Sequence, residues 1–259
     1  MYKYLSVSTH GATLRLALNR PDVYNAFHRG MALELQQALA EADRDHEVRA
    51  VLLTGEGKAF CSGQDLSEAI DPQGPGLNRI LSEHYNPLVL KLRALRKPVV
   101  VAVNGVAAGA GANLALAGDV VLAAQSAKFI QAFSKIGLIP DTGGTLTLPR
   151  LAGFAKASAW MMLADSVSAE EAERHGLIYR VVADDALADE AMAVAQKLAA
   201  MPTEALALTK EALNATAFHG FAEQLELERA LQNRAGATAD FAEGVAAFLE
   251  KRQPQFRGQ

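Results

Sequence analysis

The stretch Val99–Thr145, VVVAVNGVAAGAGANLALAGDVVLAAQSAKFIQAFSKIGLIPDTGGT, constrains this chain more than any other. It sets a β-branched run, a Gly/Ala-rich turn, a small-residue helix, a second apolar strand and a Gly-flanked aspartate one after another. Val99–Val103 has the composition of a buried strand, and Gly105–Gly111 lets backbone approach a neighbour closely. From Ala107 to Ala112 small side chains leave the first amides of the following helix unshielded, and those amides have no intrahelical acceptor. Two readings fit: tight packing of helix on strand, and a cradle for an anion or for an oxygen that gains charge during a reaction. A dinucleotide fingerprint is set aside. Leu114 stands where the third glycine belongs, and Asp119 comes too soon to reach a ribose from a second strand.

Around this stretch the chain alternates strand and helix signals. Tyr2–Ser8 and Thr13–Leu18 read as paired strands about a turn at His10-Gly11, Met31–Ala42 as a helix and Val48–Thr54 as a third strand. Lys58–Leu66 (KAFCSGQDL) reads as a sharp bend exposing backbone amides, and Asp71–Gly76 as a loop. Leu77–Leu95 has helical spacing that Pro87 must kink or divide. Gly153–Leu163 is a helix whose Trp160 and methionines read as core, Ser168–Glu171 a capping box, Gly176 a helix stop and Ile178–Val182 a short strand. From there four helices follow: Leu187–Ala200, Thr203–Thr216, His219–Arg234 and Ala239–Lys251. The expected fold class is therefore α/β with a helical extension, which we divide into a body over 1–200 and a helical region over 201–259. Apolar faces left over on such an extension suit a second subunit.

Composition narrows the function classes. With 25 basic against 29 acidic residues in 259, the chain has no electrostatic footprint for nucleic acid. The single Cys61 excludes an intrachain disulfide, and the six histidines show no metal-ligand spacing. No uninterrupted apolar run is long enough to span a bilayer and no leader pattern follows Met1, so a cytoplasmic protein without metal, nucleic-acid or membrane partners is expected.

Six segments taken together, NRPDVYNAF, KAFCSGQDL, KPVVVAVNGVAAGAGANLALAGD, GLIPDTGGT, SAEEAERHGL and FLEKRQPQF, resemble the enoyl-CoA hydratase/isomerase, or crotonase, superfamily, in that family's order from Asn19 to Phe256. The resemblance implies a crotonase-like fold of repeated ββα units with a C-terminal helical trimerisation region, assembly as a trimer or hexamer, and an acyl-CoA thioester as substrate. Coenzyme A would then be part of the substrate, and no separate cofactor is implied. It also implies that the amides of Gln64 and Ala110 hold the thioester oxygen, on which charge builds when a neighbouring proton leaves.

The acids separate the branches. Hydratases of this family use two glutamates, and the matching positions here hold Asn113 and Phe133. Adding water needs a base and an acid, whereas moving a double bond needs one carboxylate to take a proton and return it elsewhere. Asp141 is the acid offered, although Asp before Thr-Gly-Gly is also a natural cap. Asp65 and Asp119 read as structural, Asp65 as a helix cap within a segment that the resemblance also places near the substrate. The runs YNPLVLKLRALRKPVVVAVNG and SAKFIQAFSKIGLIPDTGGT are similar to the branch that isomerises a ring-epoxidised phenylacetyl-CoA to oxepin-CoA in phenylacetate breakdown and also shifts enoyl-CoA double bonds. On that resemblance Phe133, Ile136 and Leu138 line the acyl pocket, and Ser62, Asp65 and Asn113 contact the substrate. Lys58 and Arg20 meet the phosphates, while Phe248 and Lys251 of a neighbouring subunit cover the adenine. Another enzyme of the same pathway is a further expected partner. Three alternatives stay open: a general enoyl-CoA hydratase/isomerase of fatty-acid oxidation, a weak hydratase using Glu68, and a non-catalytic acyl-CoA-binding scaffold.

Overall fold

A computed structural model describes residues 2–259. Its strands are β1 (Leu5–His10), β2 (Thr13–Leu18), β3 (Ala50–Gly55), β4 (Ala59–Cys61), β5 (Val99–Val103), β6 (Val106–Ala108), β7 (Val120–Ala124), β8 (Lys128–Ile130), β9 (Ser166–Ser168) and β10 (Arg180–Val182). They form a six-stranded sheet, β1-β2-β3-β5-β7-β10, and a four-stranded sheet, β4-β6-β8-β9. Only β1/β2 and β8/β9 pair antiparallel. Every residue of β3 and β5 is buried, as a parallel strand covered on both faces requires, which is why AVLLTG and VVVAV read as apolar runs without alternation.

The two sheets are linked by a repeated step. The chain leaves β3, β5 and β7 of the large sheet, turns within a few residues, and enters β4, β6 and β8 of the small one. Because β4, β6 and β8 are parallel neighbours, their C-terminal ends lie side by side. Each end opens into a further segment: α2 (Leu66–Ile70) after β4, α5 (Ala110–Leu116) after β6, and a 3-10 turn (Ala132–Ile136) after β8. The short strands β4, β6, β8 and β9 are too brief for periodicity to reveal, and the Gly/Ala-rich stretch expected as a turn contains β6.

The other helices are α1 (Arg29–Arg44), α3 (Gly76–Arg79), α4 (Asn86–Ala94), α6 (Gly144–Ala152), α7 (Phe154–Leu163), α8 (Ala169–Arg174), α9 (Leu187–Ala199), α10 (Thr203–Ala215), α11 (Phe221–Gly236) and α12 (Ala239–Glu250). Between α3 and α4 the chain forms a π segment, Ile80–Tyr85, so the helical run is divided as expected, with Pro87 in the first turn of α4. Proline leaves the carbonyl of Glu83 without its intrahelical donor, and Gln36 Nε2 donates to it at 2.8 Å and to the His84 carbonyl at 3.1 Å. Helix α9 packs on β3, β5 and β7, and α1 packs on β1, β2 and α4. On α7, Trp160 is buried but Met162 is 75% exposed, which corrects the reading of that whole stripe as core.

Asp119 is structural. Its carboxylate accepts from the Val99 amide at 2.8 Å and pairs with Arg93 at 3.0 Å and the buried Lys210 at 2.8 Å, tying α4 and α10 to the start of β5. Ser168 accepts from the Glu171 amide at 3.1 Å, the cap read from SAEE.

Candidate active site

The ends of β4 and β6 meet at two amides. Beyond β4, the Phe27 amide donates to the Gly63 carbonyl and the Asp65 amide donates to the Phe27 carbonyl, both at 2.7 Å. This parallel bridge uses groups on either side of Gln64, so the Gln64 N–H faces away from Phe27 and has no acceptor among the described residues. Gly63 has φ +96°, and a Cβ there would stand 2.9 Å from the Ala108 carbonyl oxygen and 3.8 Å from the Ala110 nitrogen. A Cβ on Gly111 would stand 2.4 Å from the Cys61 carbonyl oxygen. Glycine at both positions is what lets the bend lie against the start of α5. The Ala110 N–H also lacks an acceptor among the described residues, while Ala112 and Asn113 donate back to Gly109 at 3.1 and 3.3 Å. Phe133 is buried beside this start, its ring tip 3.8 Å from where a Gly109 Cβ would be.

Asp141 follows the segment beyond β8. Burial pushes its carboxyl above the usual range, and the Thr142 hydroxyl, donating to Oδ1 at 2.6 Å, partly opposes this. Thr142 is buried with φ +54°, a conformation that costs a β-branched residue about 1–3 kcal/mol and persists only where surroundings enforce it. Asn113 provides part of that enforcement. Its Nδ2 donates to the Asp141 carbonyl at 2.8 Å, its Oδ1 accepts from Gln131 Nε2 at 2.8 Å, and the Gly144 amide donates to the Asp141 carbonyl at 2.9 Å. One helix, α5, therefore carries the free Ala110 amide at its first residue and anchors the Asp141 loop three residues later. Sequence reasoning gave no role to Gln131, although it lies within the quoted run SAKFIQAFSKIGLIPDTGGT.

The structure gives each of the other expected contact residues its own surroundings. Asn113 has both ends of its amide engaged within the fold, as just described. The Asp65 carboxylate caps α2 through Ser67 and pairs with Arg20 at 3.0 Å, which commits both groups expected at the substrate. The Arg20 guanidinium also donates to the Ala26 carbonyl at 2.6 Å. Lys58 and Ser62 are exposed beside the bend, and the Ser62 hydroxyl reaches only the Val23 carbonyl, at 3.4 Å. Ile136 and Leu138 are 52% and 37% exposed. Phe248 and Lys251 lie at the end of α12; Phe248 is 81% exposed and borders a groove of about 440 Å³ whose lining includes Phe241, Leu249 and Phe256 but none of Gln64, Ala110 or Asp141. Glu68 reaches the bend indirectly, accepting from Gln64 Nε2 at 2.9 Å and from the Arg29 amide at 2.9 Å. Among the described residues no group of three or more His, Cys, Asp or Glu is placed to hold a metal ion.

Residues 9–259 match the family model described as enoyl-CoA hydratase/isomerase. The chain belongs to that family. It is an enzyme of crotonase fold, 49% identical over the full length of both chains to the 1,2-epoxyphenylacetyl-CoA isomerase of Escherichia coli K12. It is also 49% identical, over 94% of each chain, to a probable enoyl-CoA hydratase of Rhodobacter capsulatus. The crystal structure of enoyl-CoA hydratase from Bacillus anthracis superposes with a TM-score of 0.95 at 32% identity, covering 99% of this chain and all of that one.

Proposed function

We propose that this enzyme is an acyl-CoA isomerase in which Asp141 is the single acid/base and the Gln64 and Ala110 amides form the oxyanion hole. The observation that carries the reading is the frame built by α5 and the bend after β4: two unpartnered amides and one carboxylate of raised pKa, with Asn113 and Phe133 where a hydratase would hold its acids. For a 3-enoyl-CoA, ionised Asp141 takes a proton from C2, the electron pair spreads onto the thioester oxygen held by the two N–H groups, and the same proton returns at C4. The product is the 2-enoyl isomer, with no atom gained or lost. A preorganised donor of this kind is worth roughly 3 kcal/mol in other enzymes. Raising the pKa of Asp141 brings it nearer the working pH, which suits a group that must both accept and release a proton.

The substrate we favour is ring-1,2-epoxyphenylacetyl-CoA, from which loss of the acyl C2 proton, opening of the carbon–carbon bond shared by epoxide and ring, and return of the proton to a ring carbon give oxepin-CoA with no atom gained or lost; the likeness to the E. coli isomerase supports this. Coenzyme A enters and leaves with the acyl group, and no resident cofactor is called on. Lys58 is free to meet its phosphates, and Phe248 and Lys251 of a neighbouring copy its adenine. A homotrimer or hexamer fits the apolar groove on α12 and the exposed Phe154 and Phe221. We assign residues 201–259 to that assembly, expect a second enzyme of the pathway as a partner, and place the protein in the cytoplasm. No helix among the described residues is long and apolar enough to cross a membrane.

A second reading, hydration assisted by Glu68, rests on that carboxylate's bond to Gln64 and on the R. capsulatus relative. Chromatographic separation with mass analysis of the products from ring-1,2-epoxyphenylacetyl-CoA, 3-hexenoyl-CoA and crotonyl-CoA separates the two. Isomers of unchanged mass from the first two support isomerisation, whereas a dominant water adduct of crotonyl-CoA overturns it. Binding of all three without turnover would favour the scaffold.

A further inference from the structure

The segment NRPDVYNAF, Asn19–Phe27, contributes no group to the reaction as described, yet its loop is closely built. A short 3-10 turn, Pro21–Val23, is followed by Tyr24 and Asn25, both left-handed at φ +52° and +56°. Two such residues in succession persist only where their surroundings enforce them, and a short amide side chain that bonds locally is suited to do so. Asn25 is fully buried. Its backbone N–H donates to the Arg20 carbonyl at 2.9 Å and its Oδ1 accepts from the Arg20 amide at 2.8 Å, which closes the loop on itself. Its Nδ2 donates to the carbonyls of Glu56 at 2.9 Å and Ala59 at 2.8 Å, which fastens the loop to the turn before β4 and to the first residue of that strand. A Cβ on Gly55 would stand 2.8 Å from this Nδ2, so glycine there leaves the slot that the amide fills. From that anchor the loop runs along the bend. The Ser62 amide donates to the Tyr24 carbonyl at 3.0 Å, and the Phe27 amide donates to the Gly63 carbonyl at 2.7 Å. The Gly63 carbonyl and the Gln64 N–H belong to one planar trans peptide and point in opposite directions, so whatever fixes the one aims the other. Among the described residues no hydrogen bond joins this loop to α5, and the Ala110 amide is aimed independently.

Resting on the oxyanion-hole reading above, we infer that Asn25 is a positioning residue that aims the Gln64 N–H at the thioester oxygen. It touches neither the substrate nor the reacting atoms. By holding the loop in register with β4, it sets where Phe27 grips the Gly63–Gln64 peptide, and so how squarely that donor meets the oxygen on which charge builds. Its removal leaves Asp141 and the Ala110 amide in place and weakens one donor of the two.

The test compares wild type, Asn25→Gly, Asn25→Asp and Thr54→Val in migration of the 3-hexenoyl-CoA double bond, in thermal unfolding, and in the infrared carbonyl band of bound hexanoyl-CoA isotopically labelled at its thioester carbon. Hexanoyl-CoA is saturated and does not react, so its band reports the hydrogen bonds at the carbonyl oxygen. Asn25→Gly keeps the left-handed backbone without strain and removes the amide, whereas Asn25→Asp keeps the shape and turns an oxygen toward two carbonyls. Thr54→Val is the control, since it removes a buried hydroxyl that donates to the Ala102 carbonyl at 2.8 Å within the large sheet. In wild type the band should move to lower frequency on binding. Both Asn25 variants should show a smaller shift and a kcat lower by about 10–100-fold, since complete loss of one donor lowers it roughly 10²–10³-fold, with KM within about threefold. Thr54→Val should keep the wild-type shift and a kcat within about threefold while its unfolding midpoint falls. If only one Asn25 variant folds, its values decide. Folded Asn25 variants with the wild-type shift and kcat overturn this inference alone. Losses of the same size in Thr54→Val, or failure of both Asn25 variants to fold, assign Asn25 to the fold and overturn it as well. A wild type that binds hexanoyl-CoA without shifting the band overturns the oxyanion-hole reading and this inference with it.

Discussion

Replacing Gly63 with alanine tests whether the contact between the bend and α5 sets the spacing of the two free amides. The added Cβ stands 2.9 Å from the Ala108 carbonyl oxygen, about 0.5 Å short of the 3.4 Å at which ordinary contact begins. Both parties are backbone, so no flexible side chain can absorb the overlap. At φ +96° the new side chain is also strained, by about 1–3 kcal/mol. The strain lowers stability, and the overlap pushes β4 and β6 apart between Gln64 and Ala110. Complete loss of one oxyanion donor lowers kcat by roughly 10²–10³-fold. A stretch of half an ångström weakens rather than removes a donor, so the expected fall in kcat is about 10–100-fold. KM should move by no more than about threefold, since the distant coenzyme A contacts are untouched. The assay is steady-state migration of the 3-hexenoyl-CoA double bond, with thermal unfolding in parallel. Gly11→Ala is the control: Gly11 has φ +60° but nothing within 4 Å of an added Cβ, so it carries strain without displacement and should keep its kcat. A folded Gly63→Ala enzyme with kcat within about threefold of wild type would refute the argument.

Two further expectations concern Asp141. Thr142→Val removes the hydroxyl that lowers its pKa, so the limb on which kcat/KM rises with pH should move to higher pH while the plateau changes little; an unmoved limb contradicts the assignment of that limb to Asp141. Asp141→Asn should raise the thermal midpoint at neutral pH. The folded carboxyl titrates above its unfolded counterpart, so wild-type stability falls as pH rises through that interval, and the variant's advantage should shrink on acidification below the unfolded carboxylate range. An advantage independent of pH would show that the carboxylate's charge is not its source.

Much of this architecture is visible in the residues. Strand β5 runs over Val99–Val103 as its composition predicts, and the helical tail α9 to α12 follows the spacing of its apolar residues to within a few positions. Periodicity works there because those elements are long or buried on both faces. It fails for β4, β6, β8 and β9, where three residues cannot establish a period, and it does not show the π turn that precedes Pro87 and is held by a side chain of α1. For the site, the family resemblance points to Gln64 and Ala110 and, among the acids, to Asp141; the bend after β4 lies against the start of α5, and Asn113 ties the Asp141 loop to the same helix. Asp65 was legible as the cap of α2, but its pairing with Arg20 and the partners of Asn113 were not, since each involves a residue distant in sequence. Gln131 was invisible for the same reason: its importance lies in one hydrogen bond to Asn113.

The central claim, that one aspartate moves the proton, is tested most directly by comparing Asp141→Asn with Glu68→Gln in migration of the 3-hexenoyl-CoA double bond. General acid/base groups contribute roughly 10²–10⁴-fold, so Asp141→Asn should lose at least about two orders of magnitude in kcat, with Glu68→Gln staying within a few-fold of wild type. Retention of most activity by Asp141→Asn, or a comparable collapse in Glu68→Gln, would contradict it.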